Sequence, residues 1–149
     1  MAPPLVLHYA PTPNGWKVTI LLEELVAAGL LARDDFEVVL VDLTKGEQFT
    51  EGFLRVSPNG RMPALEDREL GITVFESAAI MQYLSERCGG AFWSTAPPGS
   101  AAALKARYAV TQWLFWQMAG LGPYVGARAR ARALPGPLRG GCCAERLAD

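Results

Sequence analysis

Long hydrophobic runs are missing from this chain of 149 residues. The longest apolar stretch, Leu25 to Ala32, is broken by Gly29 and falls far short of the ~20 residues that a membrane-spanning helix needs. Net charge is almost absent at −1, so nothing global draws the chain to nucleic acid or an anionic membrane. Cysteine is scarce. Cys88, Cys142 and Cys143 form an odd set without regular spacing, which argues against a disulfide framework. No pair has C-x-x-C spacing, so neither a zinc site nor a built-in dithiol is suggested. Histidine occurs once, as His8. No basic residue precedes Lys17, so the charged start of a signal peptide is missing. These absences lead to the expectation of a cytoplasmic protein with no metal, no membrane contact and no nucleic acid partner.

What remains is an ordinary globular composition, 50% apolar and 19% charged. The length suits one domain with part of a second. Charge is unevenly spread. Residues 1–126 hold 9 Lys/Arg against 13 Asp/Glu, whereas residues 127–149 hold 5 Arg against 2 acids.

Leu5 to Tyr9 is short and apolar and reads as a buried strand. A loop rich in turn formers, Ala10 to Gly15, leads into a helix from Trp16 to Gly29. Val18, Leu21, Leu22, Leu25 and Val26 recur on one face at a 3.6 period, with Asn14 placed to cap the start and Gly29 the end. Phe36 to Leu43 reads as a second strand, parallel to the first because a helical crossover separates them. A polar loop with one helical turn fills residues 43–58. Met62 to Glu66 and Gly71 to Phe75 read as a hairpin turning at Asp67 to Leu70, and Glu76 to Arg87 as a helix. The order is β-α-β, loop, β-β-α. A linker follows over 89–100, containing Pro97-Pro98-Gly99, and then a helix from Ala101 to about Ala119, with Ser100 placed to cap it. After Gly126 alternating Ala and Arg, Pro135-Gly136-Pro137 and Cys142-Cys143 show no periodicity, so 127–149 reads as an irregular tail.

Two segments carry chemistry. In Asn59-Gly60-Arg61-Met62-Pro63-Ala64-Leu65, Pro63 enters a strand to which it cannot donate a hydrogen bond. It is either an edge-strand proline in a hairpin or a cis-proline that presents the Met62 backbone to an extended peptide. In Phe75-Glu76-Ser77-Ala78-Ala79-Ile80 a strand runs directly into a helix. The free N–H groups there suit a carboxylate, Ser77 adds a hydroxyl, and Glu76 offers a negative charge to an ammonium. The end of an amino acid would satisfy all three, although plain helix capping uses the same residue types.

Taken together with Thr12-Pro13-Asn14-Gly15-Trp16-Lys17-Val18, Val41 to Phe49, and the run WLFWQMAGLGPY at residues 113–124, these segments resemble the glutathione transferases. The similarity is strongest to the nu-class bacterial enzymes and the fungal nitrogen-regulator relatives, and it covers roughly residues 5–126. It implies an α/β fold: a thioredoxin-like glutathione-binding domain over 1–88, then the start of an all-helical domain at 101–126, cut short. It also implies roles. Glu76 and Ser77 would hold the γ-glutamyl end of glutathione. The Met62 backbone, presented by cis-Pro63, would pair with the cysteinyl unit. Gln48 and Lys45 would reach the glycyl end, with Asn59 a further binding candidate, and Thr12 and Asn14 would sit beside the sulfur as the catalytic pair.

The loop before the first helix holds no cysteine, so the reactive sulfur must arrive with the ligand; a helix start with a hydroxyl and an amide favours its thiolate form. Tyr9, His8 and Cys88 read as packing or rim residues, and Trp113, Phe115 and Trp116 as core or a subunit contact. The function expected is glutathione-dependent thiol transfer or disulfide reduction on a small-molecule or disulfide substrate, with glutathione as cosubstrate and a homodimer as the family's assembly. The alternative is a glutathione-binding interaction module without turnover.

Overall fold

The computed structural model describes residues 2–92, 96–97 and 99–133. Cys142, Cys143 and most of the expected tail lie outside the described residues, as do residues 93–95 and 98 of the expected linker. The chain divides into two units, Met1–Ala106 and Arg107–Asp149.

In the first unit four strands form one sheet: β1 Leu5–Tyr9, β2 Phe36–Leu40, β3 Ala64–Asp67 and β4 Ile72–Phe75, in the order β2-β1-β3-β4. β1 pairs in parallel with β2 and antiparallel with β3, and β3 pairs antiparallel with β4. This is the thioredoxin-like βαβ–ββα arrangement. Because side chains alternate across a strand, β1 serves two faces. Leu5 and Leu7 meet Val18, Leu22 and Leu25 of α1 (Pro13–Ala27) and Ile80 and Leu84 of α3 (Ser77–Arg87) in the main core. On the other face Phe53 and Val56 of α2 (Glu51–Val56) pack with Val41 and Ala64. The single helical turn expected in 43–58 is thus a real helix, preceded by two 3-10 turns at Leu43–Lys45 and Glu47–Phe49.

Several boundaries differ from the sequence reading for local reasons. α1 starts at Pro13, not Trp16, and its cap is Thr12, not Asn14: the Thr12 hydroxyl accepts the Gly15 N–H at 3.3 Å. Pro13 takes the first helical position, where a missing N–H costs nothing. Gly29, at φ +69°, turns the chain out of the helix as expected. β2 ends at Leu40, three residues early. β3 starts only at Ala64, beyond Pro63, and extends to Asp67, whose carboxylate accepts the Glu69 and Leu70 N–H groups and closes the hairpin turn.

Ser100 caps α4 (Ala101–Trp116) through the Ala103 N–H at 3.1 Å. α4 runs from the first unit into the second and continues through a π-helical segment, Gln117–Leu121, into α5 (Gly122–Ala133). The helical path therefore passes Gly126, where the irregular tail was expected to begin, and reaches Ala133: alanine and arginine are both strong helix formers even without an apolar period. Trp113, Phe115 and Trp116 are exposed instead of forming a core. Among the described residues no helix is long and apolar enough to cross a membrane.

Candidate functional site

The strand register gathers four loops at one end of the sheet. Tyr9, the last residue of β1, lies opposite Leu40, the last of β2, and Val41 N–H bonds back to the Tyr9 carbonyl. Ala64, the first residue of β3, lies between His8 of β1 and Phe75, the last of β4. So the segments carrying Thr12 and Asn14, Lys45 and Gln48, Asn59 to Pro63, and Glu76 and Ser77 all leave or enter the sheet at the same end.

At the start of α1, Thr12 is half-buried and Asn14 exposed. Pro13 has no N–H, and the Gly15 and Trp16 N–H groups bond to Thr12. The Thr12 oxygen accepts at this cap, so its own proton points elsewhere and can be donated. Gly15 is needed for close approach: a Cβ there would lie 2.4 Å from the Ala10 carbonyl oxygen and 2.8 Å from the Tyr9 ring. Tyr9 is partly buried and packs against the main core.

The Met62–Pro63 peptide bond is cis, and Pro63 is buried. Met62 precedes the first ladder residue, Ala64, so it stands outside the strand pairing. Next to it Asn59 forms a hub. Its Oδ1 accepts the Ser57 hydroxyl at 2.7 Å and the Arg61 N–H at 3.2 Å, and its Nδ2 donates to Glu76 Oε1 at 3.1 Å.

Glu76 sits at φ +75°, ψ 120°, a conformation that costs a non-glycine residue energy and is concentrated at functional sites. Its side chain does not cap the helix that follows; it accepts from Asn59 instead. Simple capping therefore does not explain this glutamate. Ser77 is buried at the first position of α3.

Two candidates are less directly joined to this group. Lys45 pairs with Asp42 at 3.2 Å, on the carboxylate that also accepts the Thr44 hydroxyl and N–H. The Thr44 hydroxyl first, and then Lys45, hold the Asp42 carboxyl below the usual aspartate range. Gln48 has a buried Oε1 without a hydrogen-bond partner among the described residues. Its backbone carbonyl borders Gly60, beside Asn59: a Cβ at Gly60 would come within 3.4 Å of it.

Two further residues belong here that the sequence reading did not assign. Ser57 is fully buried and fixes Asn59; a serine two residues before an asparagine in a Pro-Asn-Gly turn is the available sequence signal. Lys17 is half-buried on α1; burial lowers its pKa, and the nearby Glu76 charge opposes that shift. Cys88 lies just past the far end of α3, away from this group, and burial pushes its thiol up. Among the described residues no three His, Cys, Asp or Glu side chains gather as a metal site.

Comparison with known proteins gives this geometry a context. Residues 4–86 match the family model described as glutathione S-transferase, N-terminal domain. The chain is 44% identical over 125 residues to the disulfide-bond oxidoreductase YfcG of Escherichia coli, covering 80% of this chain and 51% of that protein. It is 39% identical to YghU, a disulfide-bond oxidoreductase of the same organism, covering 83% of this chain and 40% of the relative. It therefore spans about half the length of these relatives. Among solved structures, the transferase URE2P6 of Phanerochaete chrysosporium, in complex with oxidized glutathione, superposes with a TM-score of 0.73 at 36% identity, over 91% of this chain and 57% of the other. YghU of Streptococcus pneumoniae, complexed with glutathione, gives 0.70 at 39% identity, over 83% of this chain and 44% of the other.

Proposed function

The chain belongs to the glutathione S-transferase family, and on that footing we propose that its first unit binds glutathione and uses it to reduce disulfides. The observation that carries the proposal is the Glu76–Asn59 bond beside a helix start. It leaves a carboxylate, a buried serine and helix N–H donors grouped for a ligand that bears an ammonium and a carboxylate on one carbon. Glutathione has such an end. In this reading Glu76 takes the γ-glutamyl ammonium, and Ser77 with the α3 N-terminus takes the adjoining carboxylate. The Met62 backbone beside Pro63 pairs with the cysteinyl unit, and Gln48, with an acceptor to satisfy, reaches the glycyl end together with Lys45.

The thiol then lies by Thr12 and Asn14. A hydroxyl and amide donor at a helix start stabilise the thiolate, the nucleophilic form. That thiolate attacks a disulfide sulfur. The S–S bond breaks, a mixed disulfide with glutathione forms, and the leaving thiolate takes up a proton. A second glutathione thiolate attacks the glutathione sulfur of that mixed disulfide, giving glutathione disulfide and the second free thiol. The loop before α1 supplies no thiol to this exchange; the reductant is glutathione itself.

Calorimetric titration of the 149-residue chain with glutathione and glutathione disulfide, with Ser77→Ala as control, tests the site. Binding that Ser77→Ala abolishes is expected. Absence of binding by the folded chain overturns the reading, and binding without disulfide-reductase turnover makes the chain a binding module instead.

A further inference from the structure

Asn59 uses both sides of its amide. Its oxygen accepts from Ser57 and from the Arg61 N–H, and its nitrogen donates to Glu76. Only one orientation satisfies these partners. A backbone N–H can only donate, so the oxygen must face Arg61; an ionised carboxylate can only accept, so the nitrogen must face Glu76. Ser57 has one hydroxyl proton for two acceptors, Asn59 Oδ1 at 2.7 Å and the Arg61 carbonyl oxygen at 2.8 Å, so it serves them in turn while the Arg61 N–H fixes the amide's orientation. The amide is thus held on a buried serine and on the backbone of the loop that leads to Pro63.

Glu76 is held far less firmly. It is exposed, and its side chain does not cap the helix it precedes. A free glutamate side chain loses appreciable rotamer entropy when a ligand fixes it, and a partner that fixes it beforehand removes that cost from binding. The chemistry of the partner matters as well. An arginine or lysine in this place would compete with an incoming ammonium. A neutral amide orients the carboxylate without adding a cation to the Lys17 ammonium already near it.

We propose that Asn59, locked by Ser57 and the Arg61 N–H, is a positioning residue that aims the Glu76 carboxylate at the ammonium of the γ-glutamyl group and does not itself touch the ligand. The proposal rests on the glutathione reading above. It assigns Asn59 a different role from that of a binding residue, and it brings Ser57 into the site's support.

The test compares two ligands by calorimetry on the full chain: glutathione, and glutaryl-cysteinylglycine, which lacks only the ammonium. Asn59→Ala is expected to weaken glutathione binding about tenfold, the scale of a lost hydrogen bond to a charged group. Binding of the des-amino ligand should hardly change. In a Glu76→Gln background Asn59→Ala should add no further loss. Asn59→Ser keeps an oxygen for the loop donors but is too short to reach Glu76, and it should behave like Asn59→Ala; it serves where the alanine variant is not folded. Equal weakening of both ligands, or a loss that persists in Glu76→Gln, overturns the positioning role alone. A wild-type chain that binds neither ligand overturns the glutathione reading and this proposal with it.

Discussion

The Tyr83 hydroxyl donates to Asp67 Oδ2 at 2.7 Å, and this bond ties α3 to the end of β3. Asp67 is buried and lies at the opposite end of β3 from Pro63. Arg87 Nε adds a second contact at 3.1 Å, and the Glu69 and Leu70 N–H groups a third and fourth. The helix whose first turn forms the candidate site is therefore anchored at its other end, on a carboxylate at the end of β3 remote from that site.

Tyr83→Phe should lower stability by about 1.5–3 kcal/mol, because a buried carboxylate loses a donor. Burial, and then Asp67, push the Tyr83 pKa up to about 12 from the ordinary 10. The protonated phenol is thus the form that the fold favours. Its contribution is complete below about pH 10 and is lost as pH rises from there toward 12. Asp67 has the opposite sign. Burial raises its carboxyl, but Tyr83, Leu70 and Arg87 together outweigh that and leave it below the ordinary range. Its contribution is present above the usual aspartate pKa, about 3.9, and fades as pH falls through the depressed value. Urea midpoints across pH should show both limbs in the wild type and lose the alkaline one in Tyr83→Phe. An unchanged alkaline limb would discard the assignment.

Gly15→Ala should destabilise the chain although it replaces glycine with alanine inside a helix. In an open helix that exchange stabilises by up to ~1 kcal/mol. Here the new methyl meets the Ala10 carbonyl and the Tyr9 ring below 3 Å, and overpacking of this kind costs about 1–3 kcal/mol. The displaced element is the start of α1, so glutathione affinity should fall too. A higher melting temperature in this variant would mean that the helix start can shift freely.

Much of this site was legible from residue types alone. Pro63 at a strand entry and Glu76-Ser77 at a helix start are local signals, and the structure places both where the β-α-β, β-β-α order puts them. What could not be read was which neighbour each polar group chooses. Thr12, not Asn14, caps α1, because Pro13 takes the first helical position, three residues before the expected Trp16. Asn59 meets Glu76 across 17 residues, a pairing set by the β3–β4 hairpin and not by any spacing within a motif. Ser57 was passed over for the same reason: its importance lies in its complete burial. The end of the helical stretch was misplaced because Ala and Arg favour helix without leaving an apolar period.

The second unit carries large exposed apolar side chains: Trp113, Phe115, Trp116 and Tyr124 among them, with Trp113 and Trp116 in edge-to-face contact at 5.4 Å. Exposed apolar side chains in this number promote association. The 149-residue chain should therefore self-associate in a concentration-dependent way by sedimentation velocity. Trp113→Ser with Phe115→Ser and Trp116→Ser should reduce that association and leave glutathione binding in the first unit intact. A wild-type chain that sediments as a single monomer at all concentrations would refute this.

Thr12 has two tasks that substitution can separate. Its oxygen caps α1 through the Gly15 N–H, and its proton is the one proposed to meet the glutathione sulfur. Thr12→Ser keeps both and should retain turnover. Thr12→Val loses both. The lost cap should cost about 1 kcal/mol of stability. The lost donor should raise the ionisation midpoint of the bound thiol by about one pH unit or more, since a hydrogen bond to charge contributes on the order of 1–3 kcal/mol. Because the thiolate is the reactive form, disulfide-reductase turnover in Thr12→Val should fall near neutral pH and recover as pH rises through the shifted midpoint. Thiolate absorbance of bound glutathione against pH, read beside turnover, is the measurement. A purely structural Thr12 would lower turnover equally at every pH and leave the thiol midpoint where it was.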